Sequence, residues 1–273
     1  MNSLTEQTVA RLYANDSIEK DILAALQATG KDLEHLTVDD LAPVDEFHIG
    51  GREVTAEIGL AMNIAPAQQL LDVGCGIGGP ARYFAEHYRA HVTGIDLTKE
   101  FVDAAESLSK RLKLQDMVEF HTGSALDLPF PDASFDGAYI FHVGMNISDK
   151  ARLFSQIRRV TKPGGMFAVY EVMRTGAGEL SFPVPWAAAP ETSFLAMPDR
   201  YREILQAVGF RILSERNRRD FAMEFFAAMK ARASSPLGLP ILMGPTAPLK
   251  MANMVANLGN GLIAPVEMIC RAG

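Results

Sequence analysis

The chain has 273 residues, 48% of them hydrophobic, with 26 Lys and Arg against 33 Asp and Glu for a formal net charge of -7. That much apolar material over that length buries an ample interior without disulfides or structural metal, which excludes global disorder. A net negative chain with no dense basic run is also excluded as a protein whose main task is to neutralise nucleic-acid phosphates.

Met1 to Lys20 mixes Glu6, Arg11, Asp16 and Glu19 and offers no apolar core for a secretory signal, so a cytoplasmic protein is expected. Asp16 reads as the cap of a helix from Ser17, with Glu19 at the capping-box position. Ile18, Ile22, Leu23 and Leu26 share one face of it until Gly30. A turn-rich stretch around Leu41-Ala42-Pro43 follows, and a second helix starts near Gly51 or Arg52 and runs through Val54, Ile58 and Leu60 toward Asn63. From Gln69 short apolar runs alternate with helical segments. Strands are predicted at Leu70 to Val73, His91 to Asp96, Val118 to His121, Gly137 to Phe141, Met166 to Tyr170, Phe210 to Glu215 and Leu262 to Arg271. Helices are predicted at Pro80 to Arg89, Phe101 to Leu114, Lys150 to Thr161, Tyr201 to Val208, Phe221 to Arg232 and Leu249 to Leu258. Strand and helix in alternation mean a parallel sheet with helices on both faces. The predicted division is an N-terminal helical cap over 1–62 and a core over 63–273, with a helical insertion at about 220–260. Ala233 to Val266 carries Lys250 as its only charge, but Pro236, Pro240, Pro245 and Pro248 break it up, so no membrane span is expected. Cys75 and Cys270, the two cysteines, lack zinc-ligand neighbours, and no metal is expected.

The strongest chemical signal is Leu71-Asp72-Val73-Gly74-Cys75-Gly76-Ile77-Gly78-Gly79-Pro80, between a predicted strand and helix. Glycines there let the backbone approach a ligand closely, and Pro80 suits the first helical turn. The stretch satisfies the dinucleotide pattern through Gly74, Gly76 and Gly79, and equally Asp-x-Gly-x-Gly-x-Gly through Asp72, Gly74, Gly76 and Gly78. Asp96, at the end of the next strand, can accept from both ribose hydroxyls of an adenosine in either cofactor. Asp72 would repel a pyrophosphate but can hold an ammonium group, which favours S-adenosyl-L-methionine.

With Gly123-Ser124-Ala125-Leu126-Asp127-Leu128-Pro129-Phe130 ahead of the fourth strand, the sequence resembles the class I S-adenosylmethionine-dependent methyltransferases from about Phe47 to Arg271. His48-Ile49-Gly50-Gly51, Gly78 to Tyr83, His142 to Lys150 and Pro183-Val184-Pro185-Trp186 resemble the branch containing sarcosine and dimethylglycine N-methyltransferases. The resemblance implies an α/β, Rossmann-like, doubly wound, seven-stranded and mostly parallel sheet, its last strand antiparallel. It further implies that Asp72, Gly74, Gly76 and Gly78 hold the methionine end of the cofactor, with S-adenosyl-L-homocysteine as product. Asp96 would hold the ribose, Leu97 would pack on the adenine, and Ser124, Ala125 and Leu126 would lie along the adenine edge, with His142 in contact with the cofactor. The family often has Asp where this chain has Ser124, so Asp127 or a backbone carbonyl is the alternative partner for the adenine amino group.

Methyl transfer from a sulfonium is an in-line displacement that needs positioning and desolvation but no covalent nucleophile. An amine acceptor need only arrive deprotonated, whereas a hydroxyl or carbon acid needs a base within reach. The candidates are His142, just past the fourth strand, and His48; each could instead serve only as a backbone or cofactor contact. Asn146 could orient an acceptor or cap the helix beginning near Asp149. Tyr170, Met173, Trp186 and Phe194 follow the fifth strand, where substrate-facing residues gather, with ordinary packing as the other reading. The expected acceptor is a small molecule, an amine nitrogen by resemblance. The alternative is O- or C-methylation of an apolar quinone, phenol or lipid, which fits the weakly charged C-terminal third. The 233–266 stretch would then form a lid over the acceptor or be buried in a homodimer interface. An NAD-dependent oxidoreductase and a non-catalytic cofactor-binding module are the readings from other classes.

Overall fold

The structure is a computed structural model that describes residues 6–8, 10, 13, 17–231 and 235–273. In chain order the elements are α1 (Ile18–Ala28), α2 (Val38–Asp45), α3 (Gly51–Ala61), β1 (Gln69–Val73), α4 (Gly79–Tyr88), β2 (His91–Asp96), α5 (Lys99–Arg111), β3 (Val118–Thr122) and β4 (Phe135–Phe141). They continue with α6 (Lys150–Val160), β5 (Thr161–Arg174), α7 (Pro198–Ala207), β6 (Phe210–Asn217), α8 (Arg219–Ala231), α9 (Pro240–Met243), α10 (Ala247–Gly259) and β7 (Ile263–Ala272).

One seven-stranded sheet runs β3-β2-β1-β4-β5-β7-β6. Strands β1 to β5 pair in parallel, and β7 inserts antiparallel between β5 and β6. This is the Rossmann-like arrangement the resemblance implies. The order reverses at β1 and β4, so their carboxyl ends open the crevice in which ligands of such sheets sit. The strands read as continuous apolar runs because both faces are covered: Leu71 and Ile140 enter one core with Phe154 and Phe167, while Leu70 and Tyr139 enter the other with Phe84 and Tyr170.

The amino-terminal helices pack against this frame. Ile18, Ile22 and Leu26 of α1 meet Ala104 and Leu108 of α5. Asp16, the expected cap of this helix, lies outside the described residues; Ser17 occupies the N-cap position and its side chain makes no capping bond. The stretch expected as turn-rich at Leu41-Ala42-Pro43 is instead helical. A capping box between Thr37 and Asp40 seeds α2, and a helix this short tolerates Pro43 because little remains to propagate beyond it. Val54 and Ile58 of α3 are buried as their spacing predicts, but Leu60 is 71% exposed because it falls off the i, i+4 face that Met62 continues. The four-residue α9 was not expected; it is too short to show a helical period. Arg82 of α4 and Asp45 of α2, both fully buried, pair at 2.6 Å and tie the amino-terminal layer to the sheet. Among the described residues no helix is long and apolar enough to cross a membrane.

Candidate active site

The turn between β1 and α4 carries positive φ at Gly74 (75°), Gly76 (53°) and Gly78 (82°), a region that side chains with a Cβ rarely enter. Space is restricted as well: a Cβ on Gly74 would stand 2.3 Å from Val143 Cγ2, and one on Gly79 2.3 Å from the Asp45 carbonyl oxygen. The turn is locked to β2, because Gly76 N–H donates to Asp96 Oδ2 at 2.9 Å and Thr98 N–H donates to Oδ1 at 2.8 Å. Carboxylate lone pairs remain for a ligand.

Asp72 is buried at the end of β1, and its Oδ2 has no hydrogen-bond partner among the described residues. Burial, opposed by the neighbouring Tyr139 hydroxyl and reinforced by the charges of Asp96 and Glu46, pushes its carboxyl up to about 8. An orphaned acid facing a glycine cradle suits a cationic ligand group and disfavours a pyrophosphate. Cys75 lies in the same turn with its thiol pushed up by burial, which leaves it a small packing residue there; Cys270 is buried in the core.

A single cavity gathers Asp72, Gly74, Gly76, Asp96, Leu97, Ser124, Ala125, Leu126, His48, His142, Asn146 and Trp186. His142 stands at φ 56°, a strained conformation for a non-glycine residue, held by its N–H on the Tyr170 carbonyl at 2.8 Å. Its Nδ1 donates to that same carbonyl at 3.0 Å, which assigns the proton to Nδ1, and Nε2 accepts from Ile49 N–H at 3.4 Å. Burial, with the charge of His48 adding to it, pushes the ring down to about 3, so His142 is neutral. His48 is held differently: its Nε2 lies 3.1 Å from Glu46 Oε2 and 3.0 Å from Thr55 Oγ1, and Arg52 binds the other Glu46 oxygen at 2.6 Å. Burial opposes the Glu46 charge, but the His48 hydrogen bond and the His48 and Arg52 charges outweigh it and hold that carboxyl below its usual value.

Asn146 does not cap α6. Asp149 does, accepting from Arg152 N–H at 2.9 Å, while the Asn146 amide donates to the Trp186 carbonyl at 2.8 Å and accepts from Tyr13. Three of the residues expected to face substrate lie elsewhere. The Tyr170 ring is fully buried with its hydroxyl donating to the Ile49 carbonyl at 2.9 Å; strand alternation turns it against the helical layer behind the site. Met173 is in the core with Leu153 and Phe154. Phe194 is engaged through its backbone, N–H on the Met145 carbonyl and carbonyl under Lys150, and lines a separate surface depression. Gly78 also stays off the cavity wall and serves the turn, since a Cβ there would meet Phe120 and Arg82. Asp127 is exposed and off the wall.

Part of the opposite wall comes from the 233–266 stretch expected as a lid, and part from α8, which was not expected to reach the cavity. Phe225, Phe226 and Met229 of α8, Leu242 and Met243 of α9, and Met251 and Met254 of α10 all line the cavity, and none is polar. Their i, i+3 and i, i+4 spacing was visible, but packing under the sheet would have produced the same pattern. Glu6 and Tyr13 were missed too, and no local pattern marks them.

The two readings of the glycine turn are separated by comparison. Residues 71–169 match the methyltransferase-domain family. The chain carries a methyltransferase domain. It is of the class I, S-adenosylmethionine-dependent kind, which favours the S-adenosylmethionine reading of its glycine turn. This methyltransferase domain is 40% identical over 114 residues to sterol 24-C-methyltransferase ERG6B of Gibberella zeae, covering 42% of this chain and 30% of that protein. It is 29% identical over 187 residues to O-methyltransferase resE of Aspergillus sclerotiorum, covering 67% of this chain and 69% of that one. The chain thus spans about a third of the sterol methyltransferases it matches. Its fold is shared over 98% of both chains, at TM-score 0.71 and 16% identity, with geranyl diphosphate C-methyltransferase from Streptomyces coelicolor A3(2).

Proposed function

We propose that the protein moves a methyl group from S-adenosylmethionine to an oxygen or carbon of an apolar small molecule. The wall contributed by α8, α9 and α10 carries this reading: every residue it gives to the cavity is apolar. Such a wall rewards burial of a hydrocarbon skeleton and offers an ammonium group neither a carboxylate nor a hydrogen-bond acceptor. The segments that resemble the N-methylating branch, at 48–51, 78–83, 142–150 and 183–186, lie outside these three helices. They describe the shared frame around the cofactor, so the acceptor class is argued from the wall.

When bound, the cofactor supplies a methyl group on a sulfonium, already an excellent leaving group. Asp72 and the Gly74 to Gly78 turn would hold its amino-acid end, Asp96 its ribose, and Leu97 with Ser124, Ala125 and Leu126 its adenine. The protein's remaining tasks are to align the acceptor, exclude water and take up a proton. His48 is the candidate base: Glu46, 3.1 Å from its Nε2, would stabilise an imidazolium, and its Nδ1, 3.4 Å from the Ile49 carbonyl oxygen, would have to turn from that carbonyl to take the proton. His142, neutral and bonded through both nitrogens, orients rather than titrates.

The test is calorimetric titration with S-adenosylmethionine, S-adenosylhomocysteine and NAD, followed by transfer of labelled methyl to phenols, quinones, sterols and isoprenoids alongside small amines. Binding of the adenosyl compounds alone and labelling of apolar acceptors are expected. Labelling confined to amines would overturn the acceptor class, and binding of NAD alone the cofactor.

A further inference from the structure

We propose that Glu6 completes the adenine subsite, its carboxylate accepting the exocyclic amino group of the cofactor's adenine. The inference rests on the assignment of this cavity to S-adenosylmethionine.

An adenine amino group is a hydrogen-bond donor and needs an acceptor wherever it is buried. The loop that follows β3 should provide one, since its backbone joins the ribose site: Gly123 N–H donates to the Asp96 carbonyl at 2.8 Å, and Ser124, Ala125 and Leu126 line the cavity beside Leu97. Its own acid, Asp127, is exposed and off the wall. Its hydroxyl is already employed, because Ser124 Oγ accepts from Leu126 N–H at 3.1 Å and gives its proton to Glu6 Oε1. The acceptor-rich group at this edge is therefore the carboxylate of Glu6, 118 positions away in sequence and itself on the cavity wall.

Glu6 is not alone in reaching the cavity from the amino terminus. Tyr13 lines it as well, with its ring 6.2 Å from that of Phe47 and 5.8 Å from that of Phe101, and its hydroxyl directed to Asn146 Oδ1. Glu6 and Tyr13 stand at two places on the cavity wall, one beside Ser124 at the adenine edge and one beside Asn146. In this arrangement Ser124 is the anchor for an acid supplied from elsewhere in the chain, and it orients that acid through the proton it donates.

A carboxylate is acceptor-only, so it bonds an amino group and opposes a carbonyl at the same position. The discriminating probe is S-inosylhomocysteine, which carries an oxo group where S-adenosylhomocysteine carries the amino group. The protein is expected to prefer the adenosyl compound by about tenfold or more, the range of one charge-assisted hydrogen bond in a buried site. In Glu6→Ala the affinity for S-adenosylhomocysteine falls by about the same factor, that for the inosyl compound is held or improved, and the preference collapses. Glu6→Gln, whose amide oxygen still accepts, keeps part of it. Asp96→Ala serves as the contrast, because it weakens both compounds alike. A preference unchanged between the wild-type protein and Glu6→Ala overturns the role of Glu6. Failure of the wild-type protein to bind either compound overturns the cofactor assignment instead.

Discussion

Asp72 shows how a single buried acid can set the chemistry of a site. A carboxyl with no partner for Oδ2 and held up near 8 is protonated in the ligand-free protein at neutral pH. Pairing with the ammonium of the cofactor requires the ionised form, so binding expels a proton. Affinity for S-adenosylhomocysteine is expected to rise as pH increases from about 6 toward 8, by up to about tenfold per unit, and to level off above. Calorimetry in two buffers of different ionisation heat counts the released proton, and Asp72→Asn removes the slope. A pH-independent affinity in the wild-type protein would mean that Asp72 does not face the ammonium. Asp72 itself stood out in the sequence beside the glycines. The orphaned oxygen did not, because it depends on β1 being covered by β2 and β4 on either side.

At the scale of elements, the turns around the cavity are held by buried polar groups rather than by helix propensity. Glu171 accepts from Val143 and Gly144 N–H, at 3.1 and 2.9 Å, and Lys150 donates to the carbonyls of Gly144, Ile147 and Phe194. Burial pushes Glu171 up to about 7 and Lys150 down to about 8, each against the attraction of the other. Between them they shape the turn that carries Asn146. The Arg82 and Asp45 pair plays the same part between α4 and α2, with both side chains inaccessible to solvent. Replacing Arg82 with Met leaves Asp45 buried without the cation that pairs with it directly. A loss of about 3–5 kcal/mol is expected, read as a lower urea midpoint with unchanged slope. A loss below about 1 kcal/mol would show that Asp45 reaches water, which its burial argues against. α2 itself was hidden because Pro43 reads as a breaker, while the long strands were plain because continuous apolar runs of that length have few other uses.

At the scale of the whole molecule, the cavity is a joint between two parts of the chain. The carboxyl ends of β1, β2 and β4 supply one side, proposed above for the cofactor, and the helices between β6 and β7 supply the other, proposed for the acceptor. The two sides are expected to separate by mutation. Met251→Ala, which removes a thioether from the apolar wall, should raise KM for an apolar acceptor by about tenfold while leaving S-adenosylhomocysteine affinity within about twofold. Steady-state kinetics beside calorimetry on the same variant measure both quantities. Equal losses on both sides would show that α10 supports the cofactor turn rather than the acceptor.

The glycine turn, Asp72, Asp96 and the strand order were accessible to the sequence because each is a local requirement: a backbone at positive φ, an acid at a strand end, an apolar run of strand length. Cavity membership was not local. Trp186 and Met173 read alike after the fifth strand, yet one lines the cavity and the other is core, because the bend of the chain after β5 and the sheet's alternation decide which way each side chain faces. Glu6 meets Ser124 across 118 positions of sequence, and His48 acquires Thr55 only when α3 folds back beside it. Spacing along a chain can place a residue on an element, but which elements meet is decided by packing, and the pairing of these side chains with their partners follows from that alone.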